Sequence, residues 1–315
     1  MKKFFRILII ALLAVIGFAL VVNPEKYRKV CLEGLNLWAY KVLPALLPFL
    51  FITLLFTSLC DLSKISHPFS PVTKFLFGLD GIAAFVQFAG LISGYPTGAK
   101  IVADLYENGV INKSQATKIA ILSSTSGPTF IIGTVGACFY NDKTIGLIIF
   151  TAHALAAFLT AVFYRKYGDN QPIERLIAKK SKIDIFSFAM DSALSMLAVG
   201  TLIAVFYVFA EILSDYKITY PLTRLFTLIT NNQTLAEGLT SGLFECTRGC
   251  FLISQTNGGV PLASAIISFG GLSVLAQSTA FLQKAQVNLK LFYLAKAIQA
   301  ILSFLICSLL CLLFL

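Results

Sequence analysis

The chain has 315 residues, a formal net charge of +10, 57% apolar residues and 13% charged ones. The charges fall between long uncharged runs instead of being scattered as on a soluble surface, which excludes a water-soluble domain and marks an all-α polytopic membrane protein. Seven cysteines form no CxxC pair and no Cys/His cluster, so neither a zinc site nor a thioredoxin-type motif is supported.

Against the ~20 residues that cross a hydrocarbon core, the apolar runs are 7–22, 42–60, 81–99, 119–141, 144–164, 192–210, 249–283 and 297–315. The first follows Lys2, Lys3 and Arg6, and the small-x-small pattern near Phe18–Val22 is poor. Residues 1–24 are therefore expected to be a retained anchor and not a cleaved signal.

The run 81–99 breaks at Ser93-Gly94-Tyr95-Pro96-Thr97-Gly98, and the run 119–141 breaks at Ser123–Thr129. Later breaks fall at Ser241-Gly242 and at Ser268–Ser273. Glycine and proline at bilayer depth expose backbone groups that lipid cannot satisfy, so such breaks survive where they are buried in protein or line a wet cavity. Helix, break, break, helix occurs in that order on both sides of a basic segment, which predicts an internal repeat: residues 28–165, a cytoplasmic linker 166–184, and residues 185–315.

If each first break is the tip of a re-entrant hairpin, each half crosses three times and the second half is inverted. Most of the 25 lysines and arginines then lie inside, including Arg165, Lys166, Arg175, Lys179, Lys180 and Lys182 of the linker. That is the bias expected of cytoplasmic loops. The positive charge is thereby explained without nucleic acid. Inverted repeats with interrupted helices are the plan of secondary transporters, which hold substrate where the broken segments meet.

Ser93–Lys100, Ser124–Phe130, Gly242–Gly249 and Phe269–Gln277 resemble the YlbJ-type sporulation integral membrane proteins. These belong to the Gate, or nucleoside-recognition, group, whose repeats are similar to the cores of concentrative nucleoside transporters and of the FeoB ferrous-iron transporter. The resemblance covers about residues 40–315. It implies an inverted pair of Gate units, each with a re-entrant hairpin and an unwound helix, and substrate coupling to sodium or protons. It also implies an association with endospore formation and with movement of dipicolinate, a pyridine dicarboxylate.

The candidate substrate-binding residues are Ser93, Gly94, Thr97 and Gly98 at the first tip, with Ser124, Thr125 and Ser126 at the second break. Glu245, Thr247 and Arg248 belong to the third, and Ser273 and Gln277 to the fourth. Glu245 and Arg248 are ionisable groups inside an apolar stretch, which makes them functional candidates. Their i, i+3 spacing also suits a mutual ion pair. The arginine fork suits a substrate carboxylate, and Gly94 and Gly98 are expected to supply positive φ. Lys100 and Asp104 are read as paired interfacial charges, His153 as a hydrogen-bonded core histidine, and Lys296 as snorkelling or partnered in the bundle.

No G-x-S-x-G, H-E-x-x-H or Walker A pattern occurs, and only His67 and His153 could serve acid–base work, so no catalytic or metal-binding residue is expected. The reading is a multi-pass bacterial cell-membrane permease for a small polar organic solute, dipicolinate or a nucleoside, with no cofactor beyond a coupling Na+ or H+. Its expected partners are that solute and the bilayer, with homo-oligomerisation left open. The alternative is a non-transporting membrane assembly factor on the same scaffold.

Overall fold

In a computed structural model, residues 2–59, 62–168, 185–256 and 258–315 are described. Most of the expected linker, from 169 to 184, lies outside them. Every regular element among the described residues is helical.

Helix α1 (Lys2–Val22) turns through 106° into α2 (Pro24–Leu37). Proline at the first position of α2 needs no N–H partner there. A π-helical turn (Trp38–Val42) leads to α3 (Leu43–Leu59), and two short helices follow, α4 (Leu62–Ser66) and α5 (Ser70–Phe77). Left-handed Gly78 ends α5, and the chain bends 87° into α6 (Ile82–Ser93). Then come α7 (Thr97–Glu107), α8 (Lys113–Ser123), a π-helix (Thr129–Phe139) and α9 (Lys143–Phe163).

The second half has α10 (Ile185–Asp215), α11 (Tyr220–Thr230), α12 (Gln233–Phe244) and α13 (Cys246–Ser254). It ends with α14 (Val260–Phe269), α15 (Gly271–Leu282) and α16 (Leu289–Phe314). Among the described residues, four spans satisfy length and apolarity for crossing a membrane, and up to six do if each bent pair counts as one. The chain is an all-α, multi-pass membrane protein.

Part of the first half, from α3 to α9, resembles α10 to α16 in its order of elements. A short helix with exposed apolar residues precedes each hairpin: α5 exposes Val72 and Phe75, and α11 exposes Leu228 and Ile229. Such faces suit the membrane interface. The hairpin α6–α7 corresponds to α12–α13, the interrupted segment 113–139 to 260–282, and α9 to α16. Asx side chains cap both closing helices, Asp142 accepting from the Thr144 N–H and Asn288 from the Leu291 N–H.

Helix α10 stands between the halves. Its Met196, Val199 and Ile203 pack with Leu46, Leu50 and Leu54 of α3, and Val208 and Ile212 pack with Ile16, Tyr27 and Val30 of α1 and α2.

Close approach at the breaks is set by glycine. A Cβ on Gly94 would lie 2.8 Å from the Gly127 nitrogen, and one on Gly271 would lie 2.7 Å from the Gly242 oxygen. In each half, then, the hairpin packs backbone to backbone on the break that follows it. One expected break moves: Ser241-Gly242 is helical, and the interruption falls at Glu245, whose φ of −138° and ψ of 113° are extended. Gly242 is needed for arm packing, because a Cβ on Gly249 would come within 2.3 Å of the Gly242 Cα.

Candidate functional site

Three of the breaks and the helix that follows the fourth meet at one cavity with about 60 Å³ of water-accessible space, room for roughly four to six waters. The first tip supplies Gly94 and Tyr95, and the unwound segment supplies Ser126 and Gly127. The second tip adds Glu245, Cys246 and Thr247, and α15 adds Val274 and Gln277. Apolar walls come from Val42, Leu46, Phe130, Val199 and Ile203, and Lys41 contributes a cation. A larger cleft of about 580 Å³ between α3, α4 and α6 is lined by Phe49, Phe56, Phe69, Phe88 and other mostly apolar residues. That lining suits acyl chains, so the smaller cavity, which carries Lys41, Glu245, Thr247 and Gln277, is the candidate site.

Of the expected residues, Gly94, Ser126, Glu245, Thr247 and Gln277 line this cavity. Ser273 lies one turn from Gln277 and accepts from its Nε2 at 3.3 Å. Ser93 is buried behind the tip, 3.3 Å from the Thr53 hydroxyl of α3. Thr97 is buried at the start of α7. Gly98 has no positive φ; a Cβ there would lie 2.3 Å from the Ser123 carbonyl oxygen, so this glycine serves close packing. Gly94 does need its freedom, with φ 75° and ψ −174°, and the Tyr95–Pro96 peptide that follows is cis. The Ser124 and Thr125 hydroxyls are buried with no hydrogen-bond partner.

The ion pair suggested by the i, i+3 spacing of Glu245 and Arg248 does not form between their side chains. Glu245 caps α13, its carboxylate accepting from the Arg248 main-chain N–H at 2.8 Å and from the Thr247 hydroxyl at 3.1 Å. An anion at a helix N-terminus is stabilised by the exposed N–H groups and the dipole. The Arg248 guanidinium turns away from the cavity. It pairs with Glu211 on α10 and lies over the Tyr207 ring, 5.3 Å from its centroid. Lys26 of α2 joins this cluster, 3.2 Å from Glu211 and 2.5 Å from Asp215.

Lys100, on arm α7, also reaches α10 and donates to the Ser195 hydroxyl at 3.1 Å. Each hairpin thus sends a basic residue just past its tip to the same long helix.

Sequence reasoning read His153 as a hydrogen-bonded core histidine and Lys296 as snorkelling or partnered, but missed that both hold the unwound segment. His153 of α9 accepts the Ser126 N–H on Nε2 at 2.9 Å. The ring is therefore the neutral Nδ1–H tautomer, and Nδ1 donates to the Ser268 hydroxyl at 2.7 Å. Lys296 of α16 is fully buried and donates to Tyr95 Oη at 2.5 Å, to the Ser124 carbonyl at 3.0 Å and to Gln299 Oε1 at 2.7 Å. The available signal was Lys296 and Gln299 at i, i+3, one polar pair on one face of an otherwise apolar helix.

Fold and cavity together define a multi-pass membrane protein whose helix breaks converge on a small, partly polar chamber. No family model and no solved structure matches the chain. It is similar to the sporulation integral membrane protein YlbJ of Bacillus subtilis (strain 168). The two are 26% identical over 332 aligned residues, covering 96% of this chain and 81% of that protein.

Proposed function

We propose that this chain is a secondary transporter built from two inverted Gate units, moving a small polar heteroaromatic solute across a membrane of a spore-forming bacterium. The sporulation setting is carried over from the YlbJ relative, and the Gate architecture from the motifs at the four breaks. What supports the transport reading is the convergence of two hairpin tips, one unwound segment and α15 on one small cavity that carries Glu245, Thr247 and Gln277. Broken helices at a midplane chamber are how alternating-access proteins present main-chain groups to a solute. The cavity has water-accessible space of only about 60 Å³, so seating such a solute requires a hairpin to move.

Two solute classes fit different cavity groups. A pyridine dicarboxylate would place a carboxylate against Lys41, with its ring beside Phe130; a nucleoside would direct ribose hydroxyls to Glu245 and Gln277. Uptake into proteoliposomes with pyridine-2,6-dicarboxylate and a set of nucleosides tests the reading. Lys41→Gln should abolish dicarboxylate uptake and spare nucleosides, and Glu245→Gln should do the reverse. Absence of uptake for every solute, by protein that is folded and reconstituted, would overturn the transport reading in favour of a non-transporting assembly factor.

A further inference from the structure

We infer that the Lys296 ammonium is a resident cation occupying the seat a coupling sodium ion would take, and that its proton controls a latch on the first hairpin tip. Its three acceptors are a tip hydroxyl, an unwound main-chain carbonyl and an amide oxygen. That is the oxygen set that interrupted helices offer to Na+, and here it satisfies all three ammonium donors. Gln299 is oriented for the task, because its Nε2 donates to the Ile121 carbonyl at 2.9 Å and leaves Oε1 toward Lys296. The ammonium also lies 5.0 Å from the centroid of the Tyr95 ring.

No carboxylate pairs with Lys296 among the described residues. A buried charge held by neutral oxygens alone is expensive, and losing the proton relieves it. The titratable groups facing Lys296 are Tyr95 from the tip and His153 from α9, with Cys246 beyond Tyr95. His153 already has both nitrogens engaged as a neutral ring, so the mobile proton is assigned to the lysine.

Tyr95 connects the latch to the cavity, which it lines. It also stands near the fourth break: a Cβ on Gly270 would lie 3.8 Å from its hydroxyl. On deprotonation, Tyr95 passes its hydroxyl proton to cavity water and takes the proton from Nζ, leaving a neutral amine and a neutral phenol. The neutral amine keeps two N–H donors and accepts the Tyr95 O–H on its lone pair, so the three contacts lose their charge assistance and hold the tip and the unwound segment more weakly. A solute entering with a proton re-forms the latch, which makes H+ the coupling ion and excludes Na+. This coupling rests on the transport reading, whereas the latch is testable with no solute present.

The test places one cysteine at Ser126, whose contact to His153 is through the main chain, in a background without native cysteines. Maleimide labelling in nanodiscs is normalised to a thiol at exposed Tyr40. The normalised rate should rise severalfold from mildly acidic to mildly alkaline pH with Lys296 present. It should stay flat in Lys296→Arg, which remains charged throughout, and still rise in His153→Gln. A flat profile with Lys296, a rise that survives Lys296→Arg, or its loss in His153→Gln would overturn the latch.

Two further measurements use the unaltered chain. Thermal unfolding should be the same in sodium and choline chloride, and Na+-specific stabilisation would overturn the resident-cation assignment. Uptake of pyridine-2,6-dicarboxylate should follow a pH gradient and ignore a sodium gradient, and sodium-driven uptake would overturn proton coupling. Uptake under neither gradient, with pH-dependent labelling intact, would count against the transport reading and support the latch.

Discussion

Gly94 holds φ 75° and ψ −174°, a region open essentially to glycine alone, where any other residue costs about 1–3 kcal/mol. The added methyl of Gly94→Ala would also meet the Gly127 nitrogen at 2.8 Å, a backbone atom with no room to yield. Gly98→Ala is predicted to fail for a different reason, collision with the Ser123 carbonyl at 2.3 Å without any φ strain. Gly133→Ala has no neighbour within 4 Å and no positive φ. Thermal midpoints in detergent should therefore fall clearly for Gly94→Ala and Gly98→Ala and stay near the parent value for Gly133→Ala. Equal midpoints for all three would mean that the tip does not pack on the unwound segment as described. The sequence led to the expectation of positive φ at both tip glycines, whereas Gly94 is conformational and Gly98 steric. That difference depends on Ser123, which belongs to another helix.

At the scale of elements, each hairpin's returning arm is fastened to α10, and Arg248 is the fastener for α13. Because Glu245 bonds the main-chain N–H of residue 248, Arg248→Gln leaves that cap in place. A double-mutant cycle between Arg248→Gln and Glu211→Gln should show a coupling of about 1 kcal/mol in unfolding free energy, reduced because Lys26 still holds Glu211. The corresponding cycle between Arg248→Gln and Glu245→Gln should show a smaller coupling, and the reverse ranking would restore the i, i+3 pair. Substrate affinity should change little in Arg248→Lys, since the guanidinium does not line the cavity. The spacing of Glu245 and Arg248 was visible in the chain; their true partners were not. Glu211 lies 37 residues from Arg248 in sequence, on a helix whose apolar pattern gives no sign of which face meets α13. The helices α2, α7, α11 and α12 escaped the search for apolar runs for a related reason, being too short or too polar to read as spans.

For the whole molecule, α10 is the element against which both halves are measured. Its 31 residues at 1.5 Å each extend about 46 Å, more than the ~30 Å hydrocarbon core, so both ends reach the aqueous interfaces. Lys100 engages it at Ser195 and Arg248 at Glu211, so the two arms grip it about 24 Å apart, close to the thickness of that core. The order of breaks in the sequence implied a repeat and the charge bias its direction; the side-chain contacts of Lys100 and Arg248 with α10 were not legible there. The inverted arrangement predicts that Asp169→Cys, before α10, and Lys217→Cys, just after it, face opposite sides. In intact cells lacking the native cysteines, an impermeant maleimide should label Lys217→Cys and reach Asp169→Cys only after permeabilisation. Labelling of both from outside would mean that α10 does not cross. The two arms would then grip one side of the membrane, and the cavity could not open alternately to each.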